Sequence, residues 1–270
     1  LWPELPRAMG VITNPIVLTA MSLLEFLSYR SASHCIGLSP GIVDGIVKRG
    51  VDVNKVTLIP NGCDLSIFGS DSIDPWRPKS VEPTDLLAVF TGTHGIANGL
   101  DAALDAAKEL KSRNRGDIKL LLVGQGKLKD RLVARALDED LDNVIFHSPV
   151  NKDMLARIMS GADIGMQLLS NVPAFYYGTS PNKFFDYISA GLPVLNNYPG
   201  WLSNMINENQ CGFSVPPDNP QAFADALEKA ASDRGELAMM GRRSTLLATT
   251  SFDRSMLAEK WVDAVIGVVK

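Results

Sequence analysis

The chain has 270 residues, of which 46% are hydrophobic and 21% are charged. This length and composition suffice for one large core, or for one full domain and part of another. The formal net charge of -4 gives no general attraction for nucleic acid, so we expect no nucleic-acid partner. The three cysteines have neither paired nor metal-ligand spacing, which indicates free thiols in a reduced, cytoplasmic compartment and no metal site.

The first 70 residues indicate part of a parallel-sheet domain. Apolar spacing predicts helices over residues 16–30 and 40–49 and short strands at Cys35–Leu38 and Val56–Ile59. Residues 8–24 carry no charge, but they are too few and too interrupted by polar residues and proline to span a membrane. They fit either a core helix or a helix with one face toward a membrane-embedded acceptor.

A change of composition separates this part from the rest of the chain. Residues 71–85 are rich in serine, aspartate and proline and lack a periodic pattern, which is typical of a linker. We therefore predict part of an N-terminal domain over residues 1–70 and a C-terminal domain over residues 86–252. A last helix over residues 253–270, with Asp253 as its N-cap, is expected to pack back toward the N-terminal domain.

After residue 85, strands and helices alternate regularly. Continuous apolar strands are predicted at Leu86–Thr91, Ile118–Val123, Val144–Phe146, Ile164–Leu169 and Pro193–Asn196. Strands without polar alternation are buried on both faces, which indicates a parallel sheet covered by helices. The predicted fold class is therefore α/β, with a doubly wound, Rossmann-like parallel sheet, and its ligands are expected beyond the carboxyl ends of the strands.

Two glycine-rich loops follow the first two of these strands. Their candidate binding residues are Gly92, Thr93, Gly95, Asn98, Gly124 and Gln125. Glycines let the backbone approach a phosphate closely, and the helix that follows each loop has an electropositive end. Lys127, which ends the second loop, is a natural partner for a diphosphate, although a solvated surface lysine is the alternative. Neither loop has the GxGxxG spacing of dinucleotide-binding enzymes.

A third loop opens the helix predicted over residues 181–190. Ser180 is the predicted N-cap and Pro181 the first helical residue, which leaves the amides of Asn182 and Lys183 free to bind an anion. Asp186 lies about one turn later, on the same face. This pattern predicts a nucleoside diphosphate site in which the carboxylate accepts two ribose hydroxyls. The alternative is an ordinary capped helix in which Asp186 pairs with Lys183.

Several segments, taken in order, resemble those of family 4 glycosyltransferases, which are retaining enzymes with the GT-B fold of two Rossmann-like domains. The segments are Leu1–Glu4, Ser39–Gly41, Ile59–Asp64 with Phe68, Leu121–Gly126 and Asp186–Val194. The resemblance covers nearly the whole chain. The pattern of residues 92–100 is similar to that of a bacterial subgroup acting in capsule, O-antigen and exopolysaccharide synthesis.

The resemblance implies a nucleotide-sugar donor, such as a UDP-sugar, that is held mainly by the C-terminal domain without a metal or other cofactor. It also implies a glycan or lipid-linked acceptor and a location in the cytoplasm or at the inner face of the membrane, with peripheral membrane contact. Residues 1–70 would be the remnant of an acceptor-side domain of which roughly half is missing before Leu1.

The resemblance also assigns roles to individual residues. Asp186 falls where the second acid of the family's E-x7-E motif contacts ribose, and Gly178 stands where the first acid would contact the donor sugar. The loop from Thr179 to Asn182 would offer its amides to the phosphates. Thr93 and Asn98 stand where the family often has arginine and lysine, which leaves Lys127 and Lys183 as candidate replacements that stabilise the diphosphate. Pro149 and Val150 are expected against the nucleobase, unless they form a simple connection.

Two other functions stay open, of which a UDP-sugar 2-epimerase shares this fold. A UDP-sugar 2-epimerase would need acid and base side chains, and His34, His94 and His147 are expected to be structural. A non-catalytic nucleotide-sugar-binding module agrees with a glycine at position 178. A nicotinamide-dependent dehydrogenase is disfavoured because the dinucleotide fingerprint is missing.

Overall fold

The structure is a computed structural model that describes residues 3–69 and 72–269. The chain divides into two compact units. The first unit contains the chain up to Gly62, the segment Val172–Pro181 and the chain from Phe252 onward, and the second contains Cys63–Asn171 and Asn182–Ser251. This division does not test the predicted domain boundaries, which stay predictions.

Helices and strands alternate through most of the chain. The helices are α1 Glu4–Ala8, α2 Pro15–Ser31, α3 Pro40–Lys48, α4 Leu65–Phe68, α5 Asp101–Ser112, α6 Lys129–Asp138, α7 Lys152–Gly161, α8 Pro173–Gly178, α9 Asn182–Ser189, α10 Trp201–Glu208, α11 Pro220–Ser232, α12 Arg234–Ser251 and α13 Arg254–Val269. The strands are β1 Cys35–Gly37, β2 Val56–Leu58, β3 Leu86–Thr91, β4 Ile118–Val123, β5 Val144–His147, β6 Ile164–Gln167, β7 Val194–Asn196 and β8 Gly212–Ser214.

In the first unit, β1 and β2 form a parallel pair, and helices α2 and α13 begin at side-chain caps. The Asn14 carboxamide accepts a hydrogen bond from the N–H of Ile16 at the start of α2, and the Asp253 carboxylate accepts one from the N–H of Ser255 at the start of α13. These caps satisfy amides that a helix end leaves unpaired, and the second confirms the predicted N-cap.

Helix α2 is apolar, yet none of its residues is buried. Among the residues that the structure describes, no helix combines the length and apolar character that crossing a membrane requires. The predicted contact of this region with a membrane-embedded acceptor stays a prediction.

The second unit is built on one parallel sheet with the strand order β5-β4-β3-β6-β7-β8. The first strand of this sheet, β3, lies in its middle. Strands β4 and β5 follow on one side of β3, and β6 lies on the other side. This is the doubly wound arrangement that the sequence predicts, and the α/β fold class is confirmed. Ligands of such sheets bind where the strand order reverses, which here is between β3 and β6.

Strands β3 and β4 have the predicted bounds; every residue of β3 is buried, and so is every residue of β4 except Lys119. One face of the sheet packs against α5 and α11, and the other face lies under α9. Gly165 of β6 leaves room for the ring of Tyr187, since a Cβ at this glycine would lie 2.5 Å from that ring. The Tyr187 hydroxyl accepts a hydrogen bond from the N–H of Thr91 at 3.0 Å. Helix α9 is thereby fixed across β3 and β6.

Five elements of the structure are not predicted by the sequence pattern: α1, α4, α8, α10 and β8. In addition, β6 ends at Gln167 rather than at Leu169. The Leu169 N–H instead donates to the side chain of Asn197, and the Leu169 carbonyl accepts from it. The buried backbone of this residue is therefore satisfied by a side chain rather than by the sheet.

Candidate functional site

The loops after β3 and β4 are joined to each other by their backbones. The Gly92 N–H donates to the Val123 carbonyl at 3.0 Å, and the His94 N–H donates to the Gln125 carbonyl at 3.0 Å. The His94 carbonyl accepts from the N–H of Leu128 at 2.9 Å. The two predicted glycine loops therefore form one ordered surface at the carboxyl ends of the central strands.

The glycines are needed for this close approach. Gly124 has a φ of +149°, which side chains disfavour, and a Cβ there would collide with the Gly92 carbonyl. A Cβ at Gly126 would collide with the backbone of His94. These glycines thus let one loop pack on the other. The phosphate contacts predicted for these glycines and for Thr93, Gly95 and Gln125 stay predictions.

His94 lies beneath this surface and is fully buried. Its ring is 6.2 Å from the rings of both Phe90 and Phe146, centroid to centroid. Within the described residues, neither ring nitrogen has a hydrogen-bond partner. Burial, followed by the charge of Lys129, lowers the pKa of His94 to about 4. The imidazole is therefore neutral at neutral pH.

Two lysines follow the loop after β4, and they differ in their contacts. The Lys129 ammonium donates to the carbonyls of Gly124 at 2.8 Å and His147 at 3.0 Å, so it fastens the loops after β4 and β5 together. Lys127, the predicted phosphate ligand, is exposed and has no hydrogen bond or ion pair with another described residue. The spacing alone did not distinguish these two roles.

Lys183 lies in the first turn of α9, and its side chain reaches the loop after β3. Its ammonium donates to the Asn98 carboxamide oxygen at 2.8 Å and lies 4.9 Å from the centroid of the Phe90 ring. A Cβ at Gly92 would lie 3.3 Å from the Lys183 Cε, so this glycine gives the lysine its space. Burial lowers the pKa of Lys183 to about 8.

The ammonium of Lys183 therefore has a neutral partner. Among the described residues its hydrogen bond goes to Asn98 and not to Asp186, which removes the alternative of an internal Lys183–Asp186 pair. Asp186 lies one turn along α9 and is partly buried, and Asn182 at the start of the helix is exposed. A cation near a helix N-terminus, without a carboxylate to neutralise it, is suited to an anion.

The segment before α9 differs from its prediction. The helix begins at Asn182, so Pro181 precedes it and Ser180 is not its N-cap. In the first unit, the Ser180 hydroxyl instead accepts from the Asn61 N–H at 3.4 Å, and the Asn61 carboxamide donates to the Ser180 carbonyl at 2.5 Å. Thr179 lies between α8 and α9, outside both helices. The proposed phosphate contacts of these residues stay predictions.

The loop after β5 places its predicted residues at the surface. Pro149 is exposed and Val150 is partly buried. The His147 ring before them packs edge-on against Trp76, with the centroids 5.4 Å apart. The ring thus helps to fix the loop, and the nucleobase contact of Pro149 and Val150 stays a prediction.

The described residues contain no cluster of His, Cys, Asp and Glu side chains that could hold a metal ion. Cys35, Cys63 and Cys211 form no disulfide bond within the described part of the chain. The charged groups that the site offers to a ligand include the ammonium of Lys183 and that of Lys127, which lies in the loop after β4.

Comparisons with known proteins agree with this arrangement. A family model described as Glycosyl transferases group 1 matches residues 72–246. An uncharacterized glycosyltransferase of Methanocaldococcus jannaschii is 24% identical over 231 residues, which cover 80% of this chain and 55% of that protein. The O-antigen chain mannosyltransferase C of Escherichia coli is 23% identical over 221 residues, which cover 80% of this chain and 54% of that protein. The chain thus spans about half the length of these curated relatives.

A solved structure shares the fold. The crystal structure of Anabaena HepE in complex with UDP matches with a TM-score of 0.73 at 16% sequence identity, over 89% of this chain and 65% of that chain. The family model covers more than half of the chain, and it confirms the glycosyltransferase membership that the sequence motifs predict. The chain therefore belongs to the family Glycosyl transferases group 1.

Proposed function

We propose that the second unit binds the diphosphate of a nucleotide-sugar donor, and that the protein transfers the sugar with retention of its anomeric configuration. The observation that carries this proposal is the Lys183 ammonium, which is partly buried at the carboxyl ends of the central strands and hydrogen-bonded only to a neutral carboxamide among the described residues. A diphosphate would supply the missing negative charge.

In this proposal no metal is needed for charge stabilisation. Negative charge develops on the leaving diphosphate in the transition state, and donors already aimed at that position lower the barrier. Lys183 and the first amides of α9 would supply these donors, and Lys127 would add a second cation from its exposed loop. Asp186 would accept the ribose hydroxyls, and Pro149 and Val150 would lie against the base.

The substrates are proposed from the relatives. HepE was crystallised with UDP, which supports UDP as the nucleotide. The Escherichia coli relative is an O-antigen chain mannosyltransferase, which supports a glycan or lipid-linked acceptor in bacterial surface-polysaccharide synthesis. We propose that the protein acts in the cytoplasm, at the inner face of the membrane.

Calorimetry with UDP and with 2′-deoxy-UDP tests the ribose contact. Replacing Asp186 by alanine should weaken UDP binding by roughly tenfold or more, because hydrogen bonds to a charged group contribute about 1.5–3 kcal/mol. The variant should also bind the two nucleotides equally, whereas the unaltered protein should prefer UDP. Asp142→Ala, at an exposed position, is the matched control. Equal preference in the unaltered protein would remove the ribose assignment.

The diphosphate contact is tested by comparing two lysine variants. Lys183→Met should lose most of the UDP affinity, since it removes the charge and keeps a similar chain length. Lys229→Met changes a lysine of α11, on the far side of the sheet from α9, and should leave the affinity unchanged. Equal affinities of the two variants would exclude Lys183 from the site and would refute the proposal at its main observation.

A second function is favoured by one residue. Gly178 offers no carboxylate, although there is room for a side chain. A Cβ added at this glycine would lie 3.7 Å from the Ile42 side chain, its one neighbour within 4 Å among the described residues. A protein that binds donor without transferring sugar is consistent with this glycine. Sugar transfer by the protein to a lipid-linked acceptor, followed with radiolabelled UDP-sugars, would exclude the binding module, and binding without transfer would support it.

A further inference from the structure

Asn98 uses both ends of its carboxamide inside the site. Its nitrogen donates to the Thr93 carbonyl at 2.6 Å, and its oxygen accepts from the Lys183 ammonium at 2.8 Å. The first contact holds the loop after β3, and the second holds the first turn of α9. A single side chain thus connects the two structural elements to which the diphosphate is assigned.

The backbone around Asn98 is itself fixed. A short 3-10 turn, Ile96–Asn98, ends at Gly99, which adopts a left-handed φ of +55° that glycine accepts without strain. A Cβ at Gly99 would lie 2.8 Å from the backbone of Ser170, and the Ser170 N–H donates to the Ala97 carbonyl at 3.0 Å. The turn is therefore held by the loop after β6, and Asn98 has a defined position.

The chemistry of a carboxamide matters here. A carboxylate at the same place would accept the same hydrogen bond from Lys183, but it would neutralise the ammonium and repel a diphosphate. A carboxamide orients the ammonium and leaves its full charge available. Burial is the cause that lowers the pKa of Lys183 to about 8. His94, in the same loop, is neutral at neutral pH.

We propose that Asn98 is a positioning residue, whose neutral carboxamide holds the Lys183 ammonium against the loop after β3 so that its charge faces a diphosphate. This inference rests on the proposed function and adds a residue that acts through Lys183 rather than by touching the donor. It also gives the site a chemical reason for an asparagine at this position.

The test compares Asn98→Asp, Asn98→Ala and the unaltered chain by calorimetry with UDP and GDP between about pH 7 and about pH 10, where a lysine of lowered pKa titrates. The unaltered protein should lose affinity as the pH rises through about 8. Asn98→Asp should bind about tenfold more weakly at neutral pH, and its loss of affinity should move upward by about 1–3 pH units. Asn98→Ala should weaken binding without raising the pH at which affinity is lost.

Asn207→Asp adds the same charge at an exposed position of α10 and should change neither quantity. Titration of the Lys183 ammonium by NMR, without nucleotide, keeps the test independent of binding, and Asn98→Asp should raise its pKa. An unchanged Lys183 titration in Asn98→Asp, together with affinity within about twofold of the unaltered protein, would overturn the inference and leave the proposed function standing. Failure of the unaltered protein to bind either nucleotide would overturn both.

Discussion

The buried imidazole of His94 makes the stability of the protein dependent on pH. In the unfolded chain a histidine has a pKa near 6.5, whereas burial and the charge of Lys129 hold the pKa of His94 at about 4 in the fold. Because the folded state resists protonation, stability is complete above about pH 6.5 and is lost as the pH falls toward 4. At about 1.4 kcal/mol per pH unit, this difference corresponds to a loss of roughly 3 kcal/mol.

Urea unfolding of the chain and of His94→Leu, at about pH 7 and at about pH 4.5, measures this contribution. The leucine variant should lose less stability between the two pH values, by roughly 2–3 kcal/mol. It should be at least as stable at neutral pH, since it removes a buried polar ring whose nitrogens have no described partner. The chain has three histidines, so an NMR titration can follow each ring separately.

The result that would refute this reasoning is an equal pH dependence in both proteins. An NMR pKa near 6.5 for His94 would lead to the same conclusion, because it would mean that the ring is solvated in solution. The rings of His34 and His147, which form hydrogen bonds with Thr57 and Ser148 respectively, provide the comparison within the same molecule.

Two further substitutions follow from the packing. Gly124→Ala should destabilise the fold by about 1–3 kcal/mol in urea unfolding, because its backbone is strained for a side chain and the Cβ meets the Gly92 carbonyl. The control is Gly116→Ala, where a Cβ meets nothing within 4 Å, and its stability should stay within about 0.5 kcal/mol of the unaltered protein. Equal effects of the two substitutions would contradict the packing argument. Gln167→Met should leave stability unchanged or raise it by about 1 kcal/mol, since both polar atoms of this buried carboxamide lack a described partner; a large loss would reveal a partner such as bound water.

The sequence predicts the central strands well because their physical signal is local. Every residue of β3 is buried, and a short, uninterrupted apolar run between polar turns is typical of a strand covered on both faces. The glycines at positions 92 and 124 then mark the strand ends, since both adopt positive φ values. The fold class follows from the regular alternation of such strands with amphipathic helices.

Other elements carry too little local signal. Strand β8 has three residues, Gly212–Ser214, all partly exposed, and it is defined by its pairing with β7 rather than by apolar periodicity. Helix α8 has six residues and begins at Pro173. Such short elements are stabilised by neighbours that are distant in sequence, so a window of residues does not predict them.

The candidate site shows the same division. Lys183 is predicted because a helix end is visible in the sequence. The hydrogen bonds between Asn61 and Ser180 join residues 119 apart, so the capping prediction for Ser180 could not account for them. The contacts of Lys129 with the carbonyls of Gly124 and His147 were not predicted, because only the folded loops bring these groups together.

The reversal of strand order between β3 and β6 has a consequence for protein synthesis. Asn98 and Lys183 are 85 residues apart along the chain, so a ribosome must release the second unit up to the start of α9 before the two side chains can meet. If the proposed function is right, nucleotide cannot assist the early folding steps, and its stabilising effect begins only once α9 has docked. Stalled nascent chains that end before Asn182 should consequently be digested by protease at the same rate with and without UDP.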